Sequence, residues 1–143
     1  MSRKTRRERL CGCYVTIPTM FRDHDLELDL AAVTRHVRFL LDGGFRTGNG
    51  VLLAGGAAGD FSTMSFDERV ALTDTVVQEA DGRIPVIMGA QTTSTRELVA
   101  LAKAAERAQA EYIQISPPYY FASTEEDFYE YVVAVSEAAD TGI

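Results

Sequence analysis

Two short stretches of the 143-residue chain hold residue types at spacings that suit chemistry. Gly56-Ala57-Ala58-Gly59 follows an apolar run, Val51-Leu52-Leu53-Ala54, and precedes Ser65-Phe66-Asp67-Glu68. In a glycine-rich turn between a strand and a helix start, backbone N–H groups converge on an anion. Ala57, Ala58 and Gly59 are therefore candidates to bind a carboxylate through their amides. The same glycines also suit a tight turn with no ligand. Further along, Pro117-Pro118-Tyr119-Tyr120-Phe121 presents two phenols. A phenol, with an ordinary pKa of about 10, moves protons only when a hydrogen-bonded chain positions it. Three adjacent aromatics equally suit an interface between copies of the chain.

Other reactive side chains are scattered. His24 lies among Asp23 and Asp25, and His36 among Arg35 and Arg38, with no third ligand nearby, so no metal is expected. Asp60 and the run Glu125-Glu126-Asp127 suit backbone donors at helix starts. Cys11 and Cys13 are too close and too few to staple a fold and are read as free thiols near a buried strand. No cofactor is implied. With 14 Lys and Arg against 21 Asp and Glu, the net charge of -7 argues against nucleic-acid or anionic-membrane partners. No apolar run approaches the roughly 20 residues of a membrane span. The basic start, Ser2-Arg3-Lys4-Thr5-Arg6-Arg7-Glu8-Arg9, lacks a long apolar segment after it, so a cytoplasmic protein is expected.

The elements that must position these residues alternate four times. Cys13-Tyr14-Val15-Thr16-Ile17 reads as a strand, followed by a helical pattern through Leu26, Leu30, Val33, Val37, Leu40 and Leu41 that Gly43-Gly44 ends. Val51-Leu52-Leu53-Ala54 is followed by a helix from Ser65 to about Ala80, opened by the capping-box pair Ser65 and Glu68. Ile84-Pro85-Val86-Ile87-Met88-Gly89 leads into Thr92-Thr93-Ser94 and a helix through Leu98, Leu101, Ala105 and Ala108. Tyr112-Ile113-Gln114-Ile115-Ser116 leads to a helix from about Thr124 through Phe128, Val132, Val135 and Ala139, and a fifth strand is expected at Thr141-Gly142-Ile143.

Short connections between strands and helices indicate an α/β fold with parallel strands covered by helices. A complete (β/α)8 barrel needs about 250 residues, so 143 residues fit half a barrel or a small open sheet. The expected division is a basic tail, residues 1–11, and one unit of four βα repeats, residues 12–143. Half a barrel leaves sheet edges unpaired, which invites a second copy or a second half.

Five motifs in order over about residues 12 to 140 resemble the dihydrodipicolinate synthase and N-acetylneuraminate lyase family of class I aldolases. They are Thr19-Met20-Phe21, Gly56-Ala57-Ala58-Gly59-Asp60 with Met64-Ser65 and Glu68-Arg69, Gly82-Arg83-Ile84-Pro85-Val86-Ile87-Met88-Gly89, Thr95-Arg96-Glu97, and Pro117-Pro118-Tyr119-Tyr120. Together they look like the family's N-terminal half, the first four units of a (β/α)8 TIM barrel. The resemblance implies a lyase acting on pyruvate or a related 2-oxo sugar acid held as a Schiff base to a lysine.

That lysine belongs to the family's sixth strand. The lysines here are Lys4, in the tail, and Lys103, on the solvent side of a helix. The resemblance makes Tyr120 the catalytic candidate, as a proton-relay phenol, and gives Ala57, Ala58 and Gly59 the substrate carboxylate. Ala57 and Ala58 stand where the family carries hydroxyls. This removes one or two hydrogen bonds to a charged group, each worth roughly 1.5–3 kcal/mol. It also breaks the relay at its first member. Family likeness further implies a homodimer or homotetramer. A keto-acid-binding half-barrel without catalysis, and an inactive fragment, remain open beside the lyase.

Overall fold

The computed structural model describes residues 7–120 and 122–143, so the first six residues of the basic tail and Phe121 lie outside the described residues. Strands β1 (Cys13–Thr16), β2 (Gly50–Ala54), β3 (Val86–Gly89) and β4 (Tyr112–Gln114) form one parallel sheet in the order β1-β2-β3-β4. Each pairs in register with the next, including Leu53 with Ile87 and Gly89 with Gln114. Helices α1 (Leu30–Asp42), α2 (Phe66–Ala80), α3 (Thr95–Ala108) and α4 (Glu125–Ala138) alternate with the strands. The chain end begins a further pairing, with Gly142 bridging Tyr112 in parallel, where the fifth strand is expected.

Sequence-local chemistry explains the helix starts. Ser65 and Glu68 form the expected capping box on α2, and Thr124 and Asp127 form another on α4. Ser94 caps α3 and Asp29 caps α1, each accepting an N–H one turn on. The first helix therefore begins at Leu30, and Leu26 lies outside it, 73% exposed with φ of 60°. Leu26 matches the apolar spacing only by coincidence. The chain there makes a turn in which Arg22 grips Asp25 and Glu27, while Phe21 bridges Leu28 antiparallel.

Period-2 alternation splits the sheet into two faces. Leu52, Ala54 and Val86 pack among residues of α1 and α2, and Met88 and Ile113 pack among residues of α3 and α4. Val51, Leu53, Ile87 and Tyr112 form a separate buried cluster on the other face. Arg9 reaches from the N-terminal segment to Glu111 with a two-pronged ion pair at 2.9–3.1 Å and to the Gly82 carbonyl. No helix among the described residues is long and apolar enough to cross a membrane.

Candidate functional site

The loops after the four strands gather at one end of the sheet, the C-terminal ends of parallel strands where α/β sites form. After β2 the chain makes a short 3-10 turn, Ala57–Gly59, and a second, Phe61–Thr63. The amides of Gly59 and Asp60 bond back to the carbonyls of Gly56 and Ala57. The leading amides of such a turn, at Ala57 and Ala58, have no partner within it. Ala57 and Ala58 are exposed and Gly59 is buried. Thr19, from the loop after β1, donates to the Gly59 carbonyl at 2.6 Å and ties the two loops together. A Cβ at Gly59 would lie 2.8 Å from the Ile17 carbonyl oxygen, so the close approach of these loops requires glycine there.

Asp60 shapes the turn through its backbone. It sits at φ 52°, and its carbonyl accepts both the N–H and the hydroxyl of Thr63. Its side chain makes no capping bond to the second turn, contrary to the expectation from its type, because the left-handed backbone directs the carbonyl to those donors instead.

The loop after β4 meets the β2 turn through aromatic contact. Phe61 and Tyr119 lie edge to face with ring centroids 6.0 Å apart. Tyr120 follows, 88% exposed with φ of 84°, so Tyr119 and not Tyr120 packs inward. The contact of these two tyrosines with Phe121 falls outside the described residues. His24 lies 3.2 Å from Asp25, and Lys103 is exposed on α3.

Beneath these loops is a polar cluster to which the motifs gave no role, although Arg69 and Glu97 belong to two of them. Arg69 is buried, donates to the Gly89 carbonyl at 2.7 Å and places its guanidinium 5.6 Å from the Phe61 ring centre. Burial pushes the Arg69 pKa down, opposed by the nearby charge of Glu97 and by Tyr119 and Tyr131. Thr92 donates to Glu97 at 2.5 Å, and Tyr131 donates to the Thr92 carbonyl at 2.8 Å. Desolvation pushes the Tyr131 phenol up to about 12, so it is a fixed donor at neutral pH. The signal for Arg69 was its spacing, on the stripe that also carries Leu72, Thr73, Val76 and Ala80.

Residues 10–143 match the sequence model of the Dihydrodipicolinate synthetase family. The 4-hydroxy-tetrahydrodipicolinate synthase of Thermotoga neapolitana is 39% identical over 132 residues, covering 92% of this chain and 43% of that protein. The Bradyrhizobium diazoefficiens enzyme of the same name is 33% identical, covering 89% and 41%. Of solved structures, the dihydrodipicolinate synthase of Thermotoga maritima is 36% identical with a TM-score of 0.84, covering 94% of this chain and 44% of that one. The Acinetobacter baumannii enzyme, solved with pyruvate, is 27% identical with a TM-score of 0.81, covering 93% and 44%. The chain thus spans less than half the length of the proteins it matches, and its four strands and helices correspond to the first four βα units of their barrel.

Proposed function

The chain belongs to the dihydrodipicolinate synthetase family, and from that premise we propose that it contributes the N-terminal half of a Schiff-base-forming lyase acting on pyruvate or a related 2-oxo acid. The observation that carries this reading is the β2 turn, which offers the amides of Ala57 and Ala58 at the strands' C-terminal ends, locked by Thr19 and Gly59. In the reaction, a lysine amine attacks the ketone carbon of the 2-oxo acid. A C–N bond forms, the ketone oxygen leaves as water, and the resulting iminium withdraws electrons from the neighbouring carbon. This chain's residues hold the carboxylate at the Ala57–Gly59 turn, and the Tyr120 phenol, 88% exposed and turned away from its own β2 turn, serves as a proton relay to the site of a neighbouring copy across the interface. The lysine comes from the second half of the barrel. Residues 12–143 form the catalytic half-barrel behind a basic tail of residues 1–11, and the whole assembles as a homodimer or homotetramer. Free, exposed Cys11 and Cys13 favour a reducing, cytoplasmic setting.

The test is intact-mass measurement of the protein carrying this chain after incubation with pyruvate and borohydride. Hydride delivered to the iminium carbon fixes the adduct as a secondary amine. One reduced pyruvyl group per chain is the expected result, and an unmodified mass at saturating pyruvate overturns the reading.

A further inference from the structure

The Arg69 guanidinium stands at the junction of the loops after β2, β3 and β4. Its Nη2 donates at 2.7 Å to the carbonyl of Gly89, where β3 ends, and its central carbon lies 5.6 Å from the ring centre of Phe61, in the second turn after β2. Phe61 in turn meets Tyr119, in the loop after β4, edge to face at 6.0 Å. Arg69 is 4% exposed, and among the described residues its Nε has no hydrogen-bond partner and no carboxylate lies within ion-pair distance of it. Glu97, whose carboxylate takes the Thr92 hydroxyl, acts on it only as a nearby charge. A buried cation without a paired carboxylate costs stability. What the guanidinium contributes therefore lies in the groups it touches.

Tyr120 needs support from its surroundings. At φ 84° it occupies the left-handed region, where a bulky side chain is strained and stays only when its neighbours hold it there. Tyr119 packs inward on Phe61, so the backbone that leads into Tyr120 is anchored through the Tyr119 ring. We propose that Arg69 is a positioning residue that aims Tyr120 through Phe61 and Tyr119. A guanidinium suits this task because its flat face packs on a ring while its edge donates to a carbonyl, whereas a lysine ammonium is a point charge with no such face. The assignment rests on the keto-acid reading with Tyr120 as its proton relay, and it adds a residue that acts on the relay only through other side chains.

Deuterium exchange into pyruvate tests this. In the imine, C3 loses a proton as the C–H electron pair shifts toward the iminium nitrogen to give the enamine, and a deuteron from solvent adds back to C3 to restore the iminium. In the protein carrying this chain, the exchange rate is followed by NMR in deuterated buffer and divided by the number of imine-forming chains, counted by borohydride trapping. A merely structural loss removes competent chains and leaves the rate per chain unchanged. Arg69→Lys keeps the charge and a donor for the Gly89 carbonyl. It is expected to slow exchange per chain roughly three- to tenfold, while the pyruvate concentration that half-saturates trapping moves by less than about twofold. Phe61→Leu is expected to act in the same direction, and the double variant to be no slower than the slower single one, because both break one line of contacts. An unchanged rate per chain in Arg69→Lys or in Phe61→Leu overturns the assignment, as do losses that multiply in the double variant. If Arg69→Lys does not fold, Phe61→Leu decides alone. A parent that traps no pyruvate overturns the keto-acid reading and this one with it. A parent that forms the imine but exchanges no C3 protons overturns the relay and with it the role of Arg69, whereas variants that exchange as the parent does overturn the role of Arg69 alone.

Discussion

Ala57 offers a direct handle on where the substrate carboxylate sits, because it is exposed at the head of the β2 turn and has no side-chain oxygen of its own. Ala57→Thr adds a hydroxyl beside amides already available to an anion. A hydrogen bond to a charged group contributes roughly 1.5–3 kcal/mol, so the concentration of 2-oxo acid that half-saturates imine trapping should fall about tenfold or more. Unchanged half-saturation would mean that the carboxylate lies elsewhere. Tyr131 makes a prediction that concerns stability alone. Its phenol is raised from about 10 in the unfolded chain to about 12 in the folded one, chiefly by desolvation. Between these values the folded state retains a proton that the unfolded state loses, so stability is full below about 10 and falls as pH rises toward about 12. Urea unfolding followed across that window should show the loss in the parent and a shallower loss in Tyr131→Phe. Equal slopes would show that the phenol is not held neutral by the fold.

At the scale of elements, helix starts and surface ion pairs make unequal contributions. The α2 capping box satisfies two backbone donors, with Ser65 N–H to Glu68 at 2.7 Å and Glu68 N–H to Ser65 at 3.3 Å. Ser65→Ala should cost about 1 kcal/mol. The Arg38–Glu79 pair joins α1 to α2 with bonds of 2.9 and 3.0 Å, but Arg38 is largely exposed, and solvent screening leaves such pairs a small share of the stability. Denaturant midpoints should therefore fall further for Ser65→Ala than for Arg38→Met, and the reverse order would assign the α1–α2 join to the ion pair. These caps were legible in the sequence because a capping box is a local pattern of side chain and backbone four residues long. The start of α1 was legible only in part. Leu26 continues the apolar spacing, yet Asp29 supplies the cap and the Arg22 turn removes Leu26 from the helix. Periodicity cannot separate a helix from a turn that happens to share its spacing.

For the whole molecule, pairing on one side of the sheet is unfinished. Among the described residues β1 pairs with β2 on one edge, and the face it turns away from the helices carries Tyr14, half exposed beside exposed Leu10. An open parallel edge next to apolar side chains favours association with another chain. The 143-residue chain by itself is expected to show a mass that rises with concentration in light scattering. A constant monomer mass would show that β1 is adequately covered within one chain.

The sequence alone determined the βα rhythm, the caps, the β2 turn and the family, because each is written in neighbouring residues: two-residue and 3.6-residue apolar periods, Ser or Thr three residues before an acid, and motifs in a set order. The sequence also placed the Ala57–Gly59 turn and Tyr120 on loops that follow the second and the fourth strand, at the same end of the sheet. Only the tertiary structure decided that Tyr119 and not Tyr120 packs on Phe61, that Arg69 lies buried beneath the loops, and that Gln91 and Gln114 join amides across two strands. Those contacts link residues separated by 20 or more positions, and the 23-residue gap between Gln91 and Gln114 closes only because β3 and β4 pair in one register. A one-residue slip of that register would send Gln114 to the helix side, and nothing in the residues near Gln114 states which register is chosen.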